Sequence, residues 1–197
     1  MYSQSEEEQY IINYFNKIET KKGTLLDIGA YSPEIFSNSR QLIKDGWSAI
    51  LVEPSPSCFN NIESFYLENN KVECLNVAIG KKSGMIDFYD SAGAVATTSK
   101  EHYDKWKNYQ KDFKEIKVPC ITFLELYKMF PLTFDFISID AEGCDFDIIQ
   151  QIDLNITKTN LVCIEFTYKG QEIFEYIKSF GFDLLHQNGE NIIMCRK

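Results

Sequence analysis

Hydrophobic positions along this chain recur with two periods, and the switching between them predicts its layout. Over residues 9–18, Tyr10, Ile11, Tyr14, Phe15 and Ile18 fall on one helical stripe. They predict an N-terminal helix, within residues 1–20, that covers a sheet edge. Short apolar runs predict strands over 24–28, 48–52, 72–77, 85–89, 134–139 and 161–166. Helical signals separate them. One covers 34–45, with Pro33 in its first turn and Gly46 at its end; another follows Ser55-Pro56 with Phe59, Ile62, Phe65 and Tyr66. Two more cover 146–152 and 171–180, and residues 118–121 and 123–129 lead into the 134–139 strand. Residues 182–186 and 191–195 flank Asn188-Gly189 and read as a closing hairpin.

Alternating strand and helix signals imply an α/β chain, one doubly wound sheet with helices on both faces and a β-hairpin at the C-terminal end. No repeat, low-complexity tract or linker divides residues 1–197, so a single domain is expected. The least regular stretch is 91–117. A loop, Ser91-Ala92-Gly93-Ala94, precedes a polar, aromatic helix carrying His102, Tyr103, Trp106, Tyr109 and Phe113. An irregular insertion between core units is expected to act as a lid over a substrate.

Composition narrows the class. A 197-residue chain with 44% hydrophobic residues buries about 70% of its unfolded surface, enough to fold without staples. The net charge of −9 disfavours a nucleic-acid backbone as main partner, because phosphate binding draws on clustered Lys and Arg. The lysines at 100, 105, 107, 111, 114 and 117 are interleaved with Glu101, Asp104, Asp112 and Glu115, as on a solvated helix face. The six cysteines form no Cys-x-x-Cys pair and several sit in apolar runs, as reduced, buried thiols do. With a polar, acidic start (Ser5-Glu6-Glu7-Glu8), no signal peptide is expected, and no apolar run approaches 18 residues. A cytoplasmic protein without a membrane span is the expectation.

Chemistry gathers where strands are predicted to end. Leu25-Leu26-Asp27-Ile28-Gly29-Ala30-Tyr31 runs from strand through tight turn toward helix, the arrangement that seats nucleotide-like cofactors, with Gly29 free to let backbone approach a ligand. Glu53 ends the second strand, 26 residues after Asp27, where a carboxylate can accept hydrogen bonds from both ribose hydroxyls. The segment 134–139 delivers Asp140 and Glu142 to the same sheet edge; two carboxylates in a short loop repel, and burial would raise one pKa toward that of a general base. A calcium loop does not fit, because glycine follows at the fourth position instead of the sixth. Helix N-terminal acidity accounts for Asp145 and Asp147 better than for Asp140. Glu165 ends a further strand on that edge. His186 reads as structural, while His102 lies in the lid within reach of a substrate. No His pattern supports a metal at Asp140, Glu142 and Glu165, and no metal is expected.

These segments resemble the FkbM family of S-adenosylmethionine-dependent methyltransferases. The likeness is carried by Leu26 to Tyr31 with Ser37-Asn38-Ser39, by residues 46–54, by Asn76-Val77-Ala78-Ile79-Gly80 and by residues 134–143, and it covers about 22–195. It implies a Rossmann-like class I methyltransferase fold, a mostly parallel seven-stranded sheet whose last hairpin adds one antiparallel strand. It implies S-adenosylmethionine as cofactor and methyl transfer to a hydroxyl of a small molecule or sugar. Asp27, Gly29, Ala30 and Tyr31 would line the methionine end of the cofactor, Glu53 would hold the ribose, and Pro54 with Ser55 would flank the adenosine. Asn76, Ala78 and Ile79 would border the adenine, and Asp140 and Glu142 would face the transferring methyl or the acceptor as catalytic groups. Pro33 departs from the family pattern, since relatives keep a glycine near Tyr31-Ser32-Pro33. A proline has no amide to offer, so the departure implies either weakened cofactor contact, leaving an inactive binding or scaffolding domain, or simply a helix start.

Overall fold

A computed structural model describes residues 1–110, 112–131 and 133–197; Lys111, one of the interleaved lysines, lies outside the described residues. Four short apolar runs form the sheet centre: β1 (Thr24–Ile28), β2 (Ser48–Val52), β7 (Phe136–Ile139) and β8 (Leu161–Glu165). Each is almost wholly buried, as parallel strands covered on both faces must be, so these runs are continuous rather than alternating. With β3 (Val72–Leu75), β9 (Phe182–Gln187) and β10 (Asn191–Arg196) they make a seven-stranded sheet in the order β3-β2-β1-β7-β8-β10-β9. All the pairings up to β8 are parallel, and β10 runs antiparallel to both β8 and β9.

Side chains leave the sheet alternately, so one strand supplies both cores. From β1, Leu26 and Ile28 pack with Leu126, Ile148, Ile149, Ile173 and Ile177 of α5 (Phe123–Met129), α6 (Asp145–Ile149) and α7 (Gly170–Lys178). Leu25 packs on the opposite face with Leu42, Ile43, Ile62 and Tyr66 of α2 (Arg40–Lys44) and α3 (Pro56–Tyr66). The N-terminal helix α1 (Glu7–Lys17) joins this second face through Ile11 and Phe15, whose ring meets Trp47 and Phe136 edge-on. It therefore covers a sheet face, where the stripe suggested an edge.

Three local expectations are corrected. The helix over 34–45 shrinks to α2, because the Ser32 hydroxyl accepts the amides of Glu34 and Ile35, Phe36 has φ 58°, and the Ser37 hydroxyl accepts the Arg40 amide. Pro33 thus sits in an irregular loop and starts no helix. The single sheet is joined by a second, three-stranded one. Its strands β4 (Ala78–Ile79), β6 (Lys114–Ile121) and β5 (Gly84–Asp90) lie in that order around Ala78, Phe88, Val118 and Cys120. Residues 114–117 consequently belong to β6, and the helical part of the 91–117 stretch is α4 (Lys100–Trp106) alone. No helix among the described residues is long and apolar enough to cross a membrane.

Candidate active site

Register decides which residues meet. Ile28 is level with Val52 on one side and Ile139 on the other, and Ile139 is level with Ile164. The residues that follow, Gly29, Glu53 and Asp140, therefore emerge side by side with Glu165 at the carboxyl edge of the sheet, where open α/β folds bind ligands. Gly29 has φ +86°, and a Cβ built on it would stand 1.8 Å from the Asp140 carbonyl oxygen. Only glycine fits there. The amides of Gly29 and Ala30 donate to the Val52 carbonyl at 2.9 and 3.1 Å, which ties the turn to the neighbouring strand.

A cleft opens over this edge. It is lined by strand-end residues Ile28, Gly29, Val52, Glu53 and Asp140, by Val77, Ala78, Ile79 and Ile148, and by Phe88 with Gly93, Ala94, Ala96, Thr97 and Thr98. Tyr31, Pro54, Ala141, Glu142 and Cys144 complete the wall. The enclosed space is narrow, about 50 Å³, within about 530 Å³ of unoccupied space once the open mouth is included. The enclosed figure is well below the several hundred Å³ of a typical small-molecule site, so the cleft as it stands is closed down. Eight of the residues expected at the site line the cleft: Gly29, Tyr31, Glu53, Pro54, Ala78, Ile79, Asp140 and Glu142.

Asp27, Ala30, Ser55 and Asn76 stand behind that wall. Asp27 is buried one residue deeper, where burial pushes its carboxyl up to about 6 against the opposing pull of the Ser39 and Ser138 hydroxyls. Ser55 is fully buried; its amide donates to Glu53 Oε1 at 2.7 Å and its hydroxyl to Asp90 at 2.8 Å. The Asn76 amide donates to the carbonyls of Glu53 and Pro54 at 2.8 and 3.1 Å. These two side chains shape the Glu53 loop from outside the cleft.

Glu53 accepts one backbone amide on each oxygen, Ser55 on Oε1 and Tyr31 on Oε2 at 2.8 Å. A carboxylate oxygen has a second acceptor site, so a vicinal diol can still be bound. Burial, opposed by those two amides and helped by Asp90 and Asp27, raises its pKa to about 7. The backbone bend that brings the amide to Glu53 falls on Tyr31, with φ 46°. Pro33 is buried and is not in the cleft wall, so its missing amide is not one that Glu53 uses.

At the other end, Asp140 is driven well above the ordinary carboxylate range by burial first and then by Glu142, Glu165, Asp145 and Asp27. Glu142, at φ 50°, is raised to about 9 by burial and by Glu165 and Asp145. Asp145 caps the turn between them, accepting the amides of Ala141 at 2.7 Å and Gly143 at 3.0 Å, and burial still lifts it to about 7. Oxygens of Asp140, Asp145 and Glu165 gather within 4.8 Å of one another. Asp145, rather than Glu142, is thus the third member of the closest carboxylate group, and both of its oxygens already hold backbone amides. Glu165 accepts a hydrogen bond from Thr167 through Oε1, and its buried Oε2 has no partner among the described residues.

Residues 93–98 belong to the insertion expected as a lid and do line the cleft, whereas Phe88 lines it unforeseen. Their approach depends on the second sheet, in which Tyr89 bridges to Thr97. Thr97 Oγ1 then donates to the Glu142 carbonyl at 2.8 Å, and Thr98 Oγ1 lies 3.0 Å from Cys144 Sγ. His102 is buried beside Glu142 instead of facing open cleft. His186 stacks on Tyr10 with ring centroids 3.8 Å apart and is not among the residues lining the cleft.

Strand order, the antiparallel hairpin and an acidic cleft at the carboxyl edge define a Rossmann-like methyltransferase fold. Solved structures share it: an O-methyltransferase from Bacillus cereus in complex with SAH superposes with TM-score 0.52 at 12% identity, covering 100% of this chain and 83% of the other. The SAH-bound Podospora anserina methyltransferase PaMTH1 gives 0.51 at 11% identity, covering 97% and 78%. The N-terminal domain of human METTL16 gives 0.51 at 14% identity, covering 95% and 68%. Among curated proteins none matches. The methyltransferase FkbM domain matches residues 27–184, and the chain belongs to that family, whose methyl donor is S-adenosylmethionine.

Proposed function

We propose that this chain is an O-methyltransferase that binds S-adenosylmethionine in the cleft and acts on a hydroxyl of a small molecule or sugar. The observation that carries the reading is the placement of a diol-binding carboxylate, Glu53, and a pair of raised-pKa carboxyls, Asp140 and Glu142, along one cleft. Between them lie Val52, Val77, Ile79 and Phe88, apolar surface suited to a flat base. The cationic sulfonium matches the acidic character of the other end. Glu53 would hold the ribose, Ala78 and Ile79 the adenine, and Gly29 with Tyr31 the methionine portion. Asp27, Ala30, Ser55 and Asn76 would support these contacts from behind.

Bound S-adenosylmethionine would supply an electrophilic methyl group on its sulfonium. The protein's own work is alignment and proton removal. Alignment of reacting groups contributes up to roughly 7–11 kcal/mol in favourable cases. Asp140 or Glu142 takes the acceptor's proton when ionised; burial strengthens each as a base, and Glu142, raised to about 9, acts so in the small fraction that is ionised at neutral pH. The segment 91–98 must withdraw to admit a cofactor into an enclosed space of about 50 Å³ and would close as a lid afterwards.

Calorimetric titration with S-adenosylmethionine, S-adenosylhomocysteine and NAD tests the cofactor; failure of both adenosyl ligands to bind would end this reading. Release of S-adenosylhomocysteine over a panel of hydroxyl acceptors tests the reaction. Asp140→Asn should abolish that release while leaving cofactor affinity within a few-fold. Tight binding with no turnover on any acceptor would favour a binding or scaffolding domain.

A further inference from the structure

The helix α4 is polar and solvated, with Lys100 and Lys107 both paired to Asp104 on its outer side. One residue breaks that character: His102 is 2% exposed. An imidazole inside an acidic site needs partners, and this one has a residue from each flanking strand end. Its Nε2 lies 2.9 Å from Glu142 Oε2, after β7, and its Nδ1 lies 3.2 Å from the Tyr168 hydroxyl, after β8. Glu142 itself needs holding. A non-glycine residue at φ 50° is in a strained backbone region, and persists where its surroundings over-determine it. Thr97 fixes its carbonyl; His102 faces its carboxyl.

We propose that His102 is a positioning residue for Glu142, aiming its carboxyl at the acceptor's end of the cleft while Tyr168 fixes the imidazole. The inference rests on the reading of Glu142 as a base candidate. Burial lowers the His102 pKa and raises that of Glu142, so it favours the neutral form of each over an ion pair. Asp140, Glu165, Asp145, Glu190 and Lys105 are the other charged groups acting on Glu142, and Glu165 and Lys105 those acting on His102. Oε2 stands off the ring N–H direction, leaving Nε2 close but without an aligned hydrogen bond. Catalytic hydrogen bonds commonly align only when substrate arrives.

The chain contains two histidines, so the test is spectroscopically simple. Full-length protein labelled with ¹⁵N-histidine, with no ligand added, gives two sets of ring-nitrogen signals, assigned with His186→Gln. Glu142→Gln and Tyr168→Phe should each shift the His102 nitrogens beyond the linewidth and leave those of His186 in place. In transfer assays, His102→Leu should lower kcat on the order of 10²-fold with the S-adenosylmethionine Kd within about threefold, and His102→Gln should recover part of the loss. Unmoved His102 signals in Glu142→Gln, or full kcat in a folded His102→Leu, would overturn the proposal. Failure of the wild-type chain to bind S-adenosylmethionine would instead remove the methyltransferase reading, with the nitrogen shifts still reporting whether the pair is coupled.

Discussion

Gly29 passes so close to Asp140 that a Cβ on residue 29 would lie 1.8 Å from the Asp140 carbonyl oxygen. The turn after β1 and the end of β7 therefore pack backbone against backbone, and both carry cleft residues. Gly29→Ala should lower stability by at least ~3 kcal/mol and abolish cofactor binding. Gly181→Ala is the internal comparison, since Gly181 also has a positive φ of 84° but nothing within 4 Å of an added Cβ. It should cost only the backbone term, about 1 kcal/mol. Urea denaturation of both variants separates collision from strain, and equal losses would refute the argument.

Glu53 leads to a pH dependence of binding. Its free-state pKa is about 7, and hydroxyl donors stabilise the ionised form, so binding lowers that pKa and releases a proton. Affinity for S-adenosylmethionine should rise as pH increases through about 7 and fall by up to about tenfold per unit below it. Calorimetry in buffers of differing ionisation enthalpy reads the released proton. Glu53→Gln should weaken binding by about 1.5–3 kcal/mol and flatten this step; an unchanged pH profile in the variant would assign the step elsewhere.

The buried acids also set stability against pH. Asp27, Glu53, Asp145 and Glu142 have folded pKa values of about 6, 7, 7 and 9, all above their unfolded values. Groups raised in this way contribute stability that is complete below the unfolded pKa, near 4, and is lost as pH rises through the folded values. The ligand-free protein should therefore melt at lower temperature at pH 9 than at pH 6. Glu142→Gln should shrink the part of that fall above pH 8. Thermal scans across the range check both, and a melting temperature that climbs with pH would contradict the assignment.

Pro33 is the family departure that suggested impaired binding. The amide that Glu53 accepts belongs to Tyr31, and the left-handed bend is also at Tyr31. Pro33→Ala should leave S-adenosylmethionine affinity within about threefold and cost no more than about 1 kcal/mol through greater freedom of the unfolded chain. Affinity gained tenfold in Pro33→Gly would restore the case for a damaged cofactor loop.

The apolar runs of β1, β2, β7 and β8 were legible because strands buried on both faces need continuous hydrophobic stretches. Their ends named Gly29, Glu53, Asp140 and Glu165 through the same logic. Helix α2 was misjudged because local hydroxyl-to-amide bonds at Ser32 and Ser37 competed with helical ones, and periodicity does not register that competition. The second sheet escaped notice because β4 is two residues long and gains meaning only by pairing with β6, some forty residues away.

By itself, the sequence determined that acids would stand at the ends of buried parallel strands and that a glycine would follow the first of them. Burial pattern and backbone freedom are local properties, written into residue type and spacing. Only the tertiary structure decided that Thr97 bonds the Glu142 carbonyl and that His102 faces the Glu142 carboxyl. Those relations join segments forty or more residues apart, and their energies arise from shared burial and charge, which exist only once the chain has folded.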